Sequence, residues 1–431
     1  MKASFSKTLI AASLSLMIPG AALAADDDIQ ELKQEIAMLK KQLNHVEKRL
    51  EKEELRSRPV AARAPAALAT GLNSTGSAFM AKYADKIQYK ASPKSPSDYG
   101  YHSQDASAQL TGYGIFNFNS TEHAHSYFNV MFYPEMIFRY KDLFAWDSLL
   151  YFYVDTLGAT QTRLTYSYAS WFVTPHFTLA GGKFFDPEGK FANTYYLPWL
   201  NKLPTYPVGF GFNAATPQAD IGLQAHGDVP LSESAKVTYA LFVVNGPEAN
   251  VANNVISSIA SNGTASDVDG HKVWGGRLAY LPFPELEMGV SAAIGQIGLY
   301  NANGKLIQTS RDYHSLGADV TYTHNQFSLL GEYMQQFVGR NTNNVFPAAA
   351  RWSAWYAQAG YRFFANWEGV MRYGSYSTPD PNNKQRQVDL GVDYWFSPTI
   401  VAKLDYEFNS GRAGTAANAN ILCAQFAYGF A

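Results

Sequence analysis

Between Lys183 and Lys202 the chain sets five charges, Lys183, Asp186, Glu188, Lys190 and Lys202, among large apolar side chains. Phe185, Phe191, Tyr195, Tyr196, Leu197, Trp199, Leu200, Leu203, Tyr206 and Phe210 supply the apolar bulk. That mixture suits selection rather than catalysis. Fixed charges at a narrowing attract or repel passing ions, and Tyr and Trp rings can stack on sugar faces. Covalent chemistry would need a nucleophile and a base held together, and the nine histidines are scattered. His123 and His125 share a loop tip, where solvated side chains are favoured over a weak metal site, so no metal and no cofactor is expected. No phosphate-cradling loop and no basic tract for nucleic acid occurs.

These charges belong to a chain built almost wholly of alternating segments. In 387–396, Val388, Leu390, Val392, Tyr394 and Phe396 fall on one face, and Gln387, Asp389, Gly391, Asp393 and Trp395 on the other. In 402–408, Ala402, Leu404, Tyr406 and Phe408 oppose Lys403, Asp405 and Glu407. One face suits lipid and the other water. Only a closed barrel lets strands satisfy their backbone groups in a bilayer. Sixteen such segments follow from about residue 107: 107–118, 126–140, 143–154, 162–173, 176–184, 218–227, 235–245, 271–281, 286–298, 311–322, 326–337, 353–364, 367–377, 387–396, 399–409 and 420–430. Short and long connections alternate between them, as periplasmic turns and outside loops would. Tyr140, Trp171, Phe172, Tyr280, Phe283, Phe327, Phe363, Trp367 and Phe396 flank the short turns, where an interfacial aromatic girdle belongs.

Composition agrees. Charged residues are 16% of the chain, below the roughly 25% of soluble proteins. No run after the N-terminus is long and apolar enough for a membrane helix. The net charge of −2 calls for no charged partner, and the single cysteine, Cys423, excludes an internal disulfide.

Residues 1–24 read as a secretory signal: Lys2 and Lys7, an apolar stretch, then Ala22-Leu23-Ala24. Residues 25–57 read as a periplasmic coiled coil, with Ile29, Leu32, Ile36, Leu39, Leu43, Val46 and Leu50 at a/d spacing. The Ala-, Pro- and Ser-rich residues 58–104 read as a flexible linker, and 105–431 as the barrel. The expected fold class is all-β: a 16-stranded antiparallel transmembrane β-barrel with a short N-terminal α-helical coiled coil. Export plus a barrel places the chain in the outer membrane of a Gram-negative cell.

The apolar residues of 185–217 need a surface. A loop folded into the lumen would find one and narrow the pore; a cap over the mouth or against a neighbouring subunit is the alternative. Charges at the narrowing would be Lys183, Asp186, Glu188, Lys190 and Lys202. By alternation the pore lining includes Arg139, Arg163, Arg277, Arg362, Arg372, Lys403, Glu135, Asp220, Asp319 and Glu332, most of them solvated by channel water. The mixed lining predicts a passive diffusion channel of weak charge preference. Its partners are outer-membrane lipid and small hydrophilic solutes or ions. Alternatives are a solute-specific porin for anions, phosphate or carbohydrate, and a barrel anchor whose coiled coil tethers a periplasmic partner. A barrel enzyme is the least favoured.

The segments GGKFFDPEG at 181–189, DIGLQAHGD at 220–228 and YALFVVNGP at 239–247, with the order signal, coiled coil, linker and barrel, resemble the trimeric outer-membrane porins, and among them the phosphate-selective porin O/P-like family. The resemblance implies a homotrimer of sixteen-strand barrels, each with its own pore. It also implies anion selectivity through third-loop arginines. Here residues 185–217 contain no arginine.

Overall fold

A computed structural model describes residues 101–430 except 103–104, 212–213, 253–254, 262, 266–267, 302 and 341–347. The expected signal, the coiled coil and nearly all of the linker lie outside the described residues. Sixteen strands form the barrel: β1 Ala106–Thr121, β2 Tyr127–Tyr140, β3 Phe144–Val154, β4 Thr160–Thr174, β5 Phe177–Phe185, β6 Ala219–Pro230, β7 Lys236–Val244 and β8 Val273–Phe283, then β9 Leu286–Asn301, β10 Leu306–His324, β11 Phe327–Val338, β12 Ala350–Arg362, β13 Trp367–Ser377, β14 Gln385–Ser397, β15 Ile400–Gly411 and β16 Ile421–Phe430. Each pairs antiparallel with the next. β16 closes on β1 from Ile421↔Thr121 to Phe430↔Gly112, so no barrel edge is left unpaired.

Each strand overlaps a segment read from the alternation. The largest difference is at β10, which begins at Leu306 rather than 311. Among the described residues, three further strands lie outside the barrel. Tyr101–His102, within the span expected as linker, pairs with Ser107 and Ala108 of β1. The long connection after β7 is not a plain loop: Glu248–Ala252 and Val255–Ala260 form a hairpin. Its first strand adds in parallel to β9 at Leu299–Asn301. Ala249, Ile256, Ile259 and Leu299 are buried there, an apolar cluster that alternation cannot show.

Side-chain pattern and pleat agree. Leu223, Leu241, Trp274, Val290 and Ile294 are 60–67% exposed. An apolar surface of this kind, running round the strands, is far beyond the patches of a soluble monomer and fits lipid. On the other face polar groups are buried: Asp389 and Asp393 at 0%, Asp405 and Glu407 at 2%. Of the expected girdle, Tyr140, Trp171, Tyr280, Phe283, Phe327, Phe363, Trp367 and Phe396 all project outward, 37–54% exposed. Gly182 and Gly222 oppose each other on β5 and β6. Gly182 has φ +137°, and a Cβ on Gly222 would stand 2.0 Å from the Val243 carbonyl oxygen, so this part of the wall demands glycine.

Candidate functional site

The segment between β5 and β6, residues 186–218, cannot continue the sheet. Pro187, Pro198, Pro204 and Pro207 interrupt it, and it folds irregularly. Asp186 Oδ1 accepts from the Glu188 N–H at 3.0 Å. A π-helical turn, Phe191–Tyr195, follows. Asn201 Nδ2 donates to the Thr205 carbonyl at 2.9 Å. Irregular backbone at membrane depth needs partners from elsewhere in the protein, and the inner wall provides them. Arg372 donates to the carbonyls of Thr205 and Tyr206 at 3.1 and 3.4 Å. Lys403 donates to those of Pro198 and Asn201, Gln425 to Pro204 and Gln336 to Ala214. Ser291 Oγ donates to the Glu188 carbonyl at 2.8 Å. In the other direction, the N–H groups of Lys190 and Phe191 donate to the two Glu332 carboxylate oxygens at 2.9 and 2.8 Å.

Ion pairs follow the same line. Lys190 Nζ lies 2.6 Å from Glu287, which also accepts from Arg277 at 2.9 Å; Arg277 in turn holds Asp319 at 2.6 Å. Lys202 pairs with Glu368, and Arg362 stands 3.6 Å from the same carboxylate. Arg372 pairs with Asp389 at 2.6 Å. The apolar residues pack on the wall too. Phe210 meets Tyr356 edge-on at 4.9 Å, Phe185 lies 4.6 Å from Tyr196, and Trp199 meets Tyr113 edge-on at 5.4 Å. Burial pushes the loop carboxyl of Asp186 up to about 7 and that of Glu188 well above its ordinary value. It draws the Lys190 ammonium down, with Glu287 opposing.

The five loop charges therefore do not meet at one point. Asp186, Glu188 and Lys190 are buried. Lys190 and Lys202 are fixed to different strands, β9 and β13. Lys183 is half-buried near the end of β5. The wall charges differ from the expectation as well. Arg372, Lys403, Glu332 and Asp319 are buried rather than bathed in channel water: the first three bond the loop backbone, and Asp319 is held by Arg277. Asp220 accepts from the N–H groups of Ile221 and Gly246 at 2.7 and 2.8 Å.

Away from these anchors, β1–β4 keep a different character. Tyr113, Tyr133, Tyr151 and Tyr153 stack in series with centroids 4.4, 4.6 and 4.8 Å apart. The Arg163 guanidinium stands 5.6 Å over Tyr153, and Tyr166 Oη donates to Glu135 at 2.5 Å. Tyr133, Tyr151, Tyr153 and Arg139 are half-exposed, and Arg163 is exposed. Loop residue Tyr206, 37% exposed, lies within electrostatic reach of Tyr133 and Tyr151. The tyrosine series was missed in the sequence because Leu149–Val154 is apolar at every position, so alternation marks no lumen face there. Glu287 was also missed, although it shares the inward phase of Ser291.

A family model for Gram-negative porins matches residues 145–414, more than half of the chain. No curated protein matches it. Among solved structures it is similar to the anion-selective porin from Comamonas acidovorans, with TM-score 0.50 and 13% identity over 76% of this chain and 100% of that one. OmpF of Salmonella typhi, solved with daunomycin, gives TM-score 0.49 and 14% identity over 77% and 100%. The outer membrane channel DcaP of Acinetobacter baumannii gives 0.48 and 10% over 76% and 99%. From the family match and the closed sixteen-strand barrel, the chain belongs to the Gram-negative porins, a family of outer-membrane channels rather than enzymes.

Proposed function

We propose that the protein is a passive diffusion channel for small hydrophilic solutes and ions, with weak charge preference. One observation carries the reading. The loop is fastened to the inner faces of β9–β16, whereas Tyr133, Tyr151, Tyr153, Arg139 and Arg163 of β2–β4 remain partly exposed. Solutes would pass between Tyr206 on the loop and this wall, with Arg139, Arg163, Lys183 and Glu135 as nearby charges. The preference is weak on this reading because Lys190 and Lys202 each face a carboxylate. The same pairing argues against a dedicated phosphate site, so the narrower kinship with the phosphate-selective group is the second choice. The tight turns and both barrel ends would face the periplasm, and the heptads at 25–57 would join three copies.

Single-channel conductance in a planar bilayer tests this. Current steps in groups of three and a small reversal potential under a salt gradient are expected. Absence of steps from folded, heat-modifiable protein would defeat the channel reading. The tether reading would then lead, and deletion of 26–57 would produce envelope defects with unchanged solute uptake.

A further inference from the structure

We propose that a cavity of about 370 Å³ at the turn end of the barrel binds a neutral saccharide, about a disaccharide in size. Its floor is three short turns, around Asn325, Asn366 and Pro398; its roof is the loop where it descends to Trp199 and Lys202. The loop reaches almost to the chain's end here: a Cβ on Gly429 would stand 2.9 Å from the Trp199 ring.

The lining has what a sugar needs. Trp199, Trp395 and Tyr195 are half-exposed. Such rings cover the apolar C–H face of a pyranose. Exposed Asn325, Gln326 and Asn366 bring amides that both donate and accept, matching hydroxyls that do the same. Glu368 is only 2% exposed and is shared by Lys202 and Arg362. Arg362 also lies 5.5 Å over the Trp395 ring.

Charge separates a neutral ligand from an anion. Glu368 stands opposite Asp393 in the sheet, and Asp393 opposite Lys403. Lys202, Arg362 and Lys403 are thus set against Glu368, Asp393 and neighbouring Asp405. The cations are matched, and no surplus is left to hold an anion once it is desolvated.

The inference rests on the channel reading, and two measurements separate their failures. In the first, maltose and then sucrose are titrated against single channels of the full-length protein, from either side of the bilayer, with sodium phosphate as the anionic probe. In the second, the same sugars are titrated against detergent-solubilised protein by tryptophan fluorescence, which reads binding whether or not the channel conducts. Saturable block by a sugar, stronger from the turn side, is expected. Trp395→Ala should raise the half-blocking concentration roughly tenfold, and Trp395→Phe by less. Should Trp395→Ala lose heat-modifiable folding, Asn366→Leu serves as the second variant. The proposal is overturned if neither sugar blocks or quenches, if block ignores side and variant, or if phosphate alone acts.

Discussion

The Lys190 ammonium lies 2.6 Å from Glu287 Oε2, joining the loop to a wall residue 97 positions later. Both side chains are at most 9% exposed. Arg277 also reaches Glu287, so removing the lysine leaves the carboxylate one partner. Lys190→Met should therefore loosen the loop without unfolding the barrel, at the lower end of the roughly 3–5 kcal/mol for breaking a buried pair. Larger, noisier single-channel currents are the expected reading. Unchanged conductance with unchanged noise would show that Lys190 does not seat the loop.

Arg372 has a heavier task. It is 0% exposed, bonds Asp389, and donates to two loop carbonyls. Arg372→Ala strands a buried carboxylate and should cost about 3–5 kcal/mol. Adding Asp389→Asn should recover part of that loss. The temperature at which the folded band disappears on unheated gels measures both; a double variant no better than the single would refute the pairing.

Asp186 gives the channel a pH dependence. Its carboxyl is held at about 7 by burial, against about 3.9 in the unfolded chain. Between those values the folded state binds the extra proton, so the seated loop is favoured at low pH and loses this support as pH rises through 7. Current noise should increase between about pH 5 and about pH 8, and Asp186→Asn should flatten the change. A rise in noise toward acid would contradict the assignment.

Removal of the loop, 187–216 replaced by a short glycine-serine link, should enlarge conductance and weaken size exclusion, as measured by the largest polyethylene glycol that still lowers the current. It should also destabilise the barrel, because Glu332, Arg372 and Lys403 lose the backbone groups they now bond. Conductance equal to that of the full chain would place the narrowing elsewhere.

The barrel was legible because one period, repeated, dictates it. Leu404, Tyr406 and Phe408 face out and Lys403, Asp405 and Glu407 are buried, as alternation requires. The inward wall residues could also be named from phase alone. Their task could not. Whether Arg372 meets water or the Thr205 carbonyl depends on where an irregular, proline-broken segment comes to rest, and no period encodes that. The hairpin after β7 escaped for a related reason, since its burial is against β9 and not against a repeating face. Tyr151 and Tyr153 were hidden because every residue of Leu149–Val154 is apolar or aromatic, which leaves no polar position to mark the inner face.

The loop's anchors also have an order in time. Glu287, Glu332, Glu368, Arg372, Lys403 and Glu407 all follow the loop in the chain. A nascent chain that ends after β7 carries Phe191, Trp199, Leu203 and Phe210 with none of these partners. Sequence separations of this size are slow to close. These polar contacts of the loop therefore cannot all be in place before β9–β15 have joined the barrel.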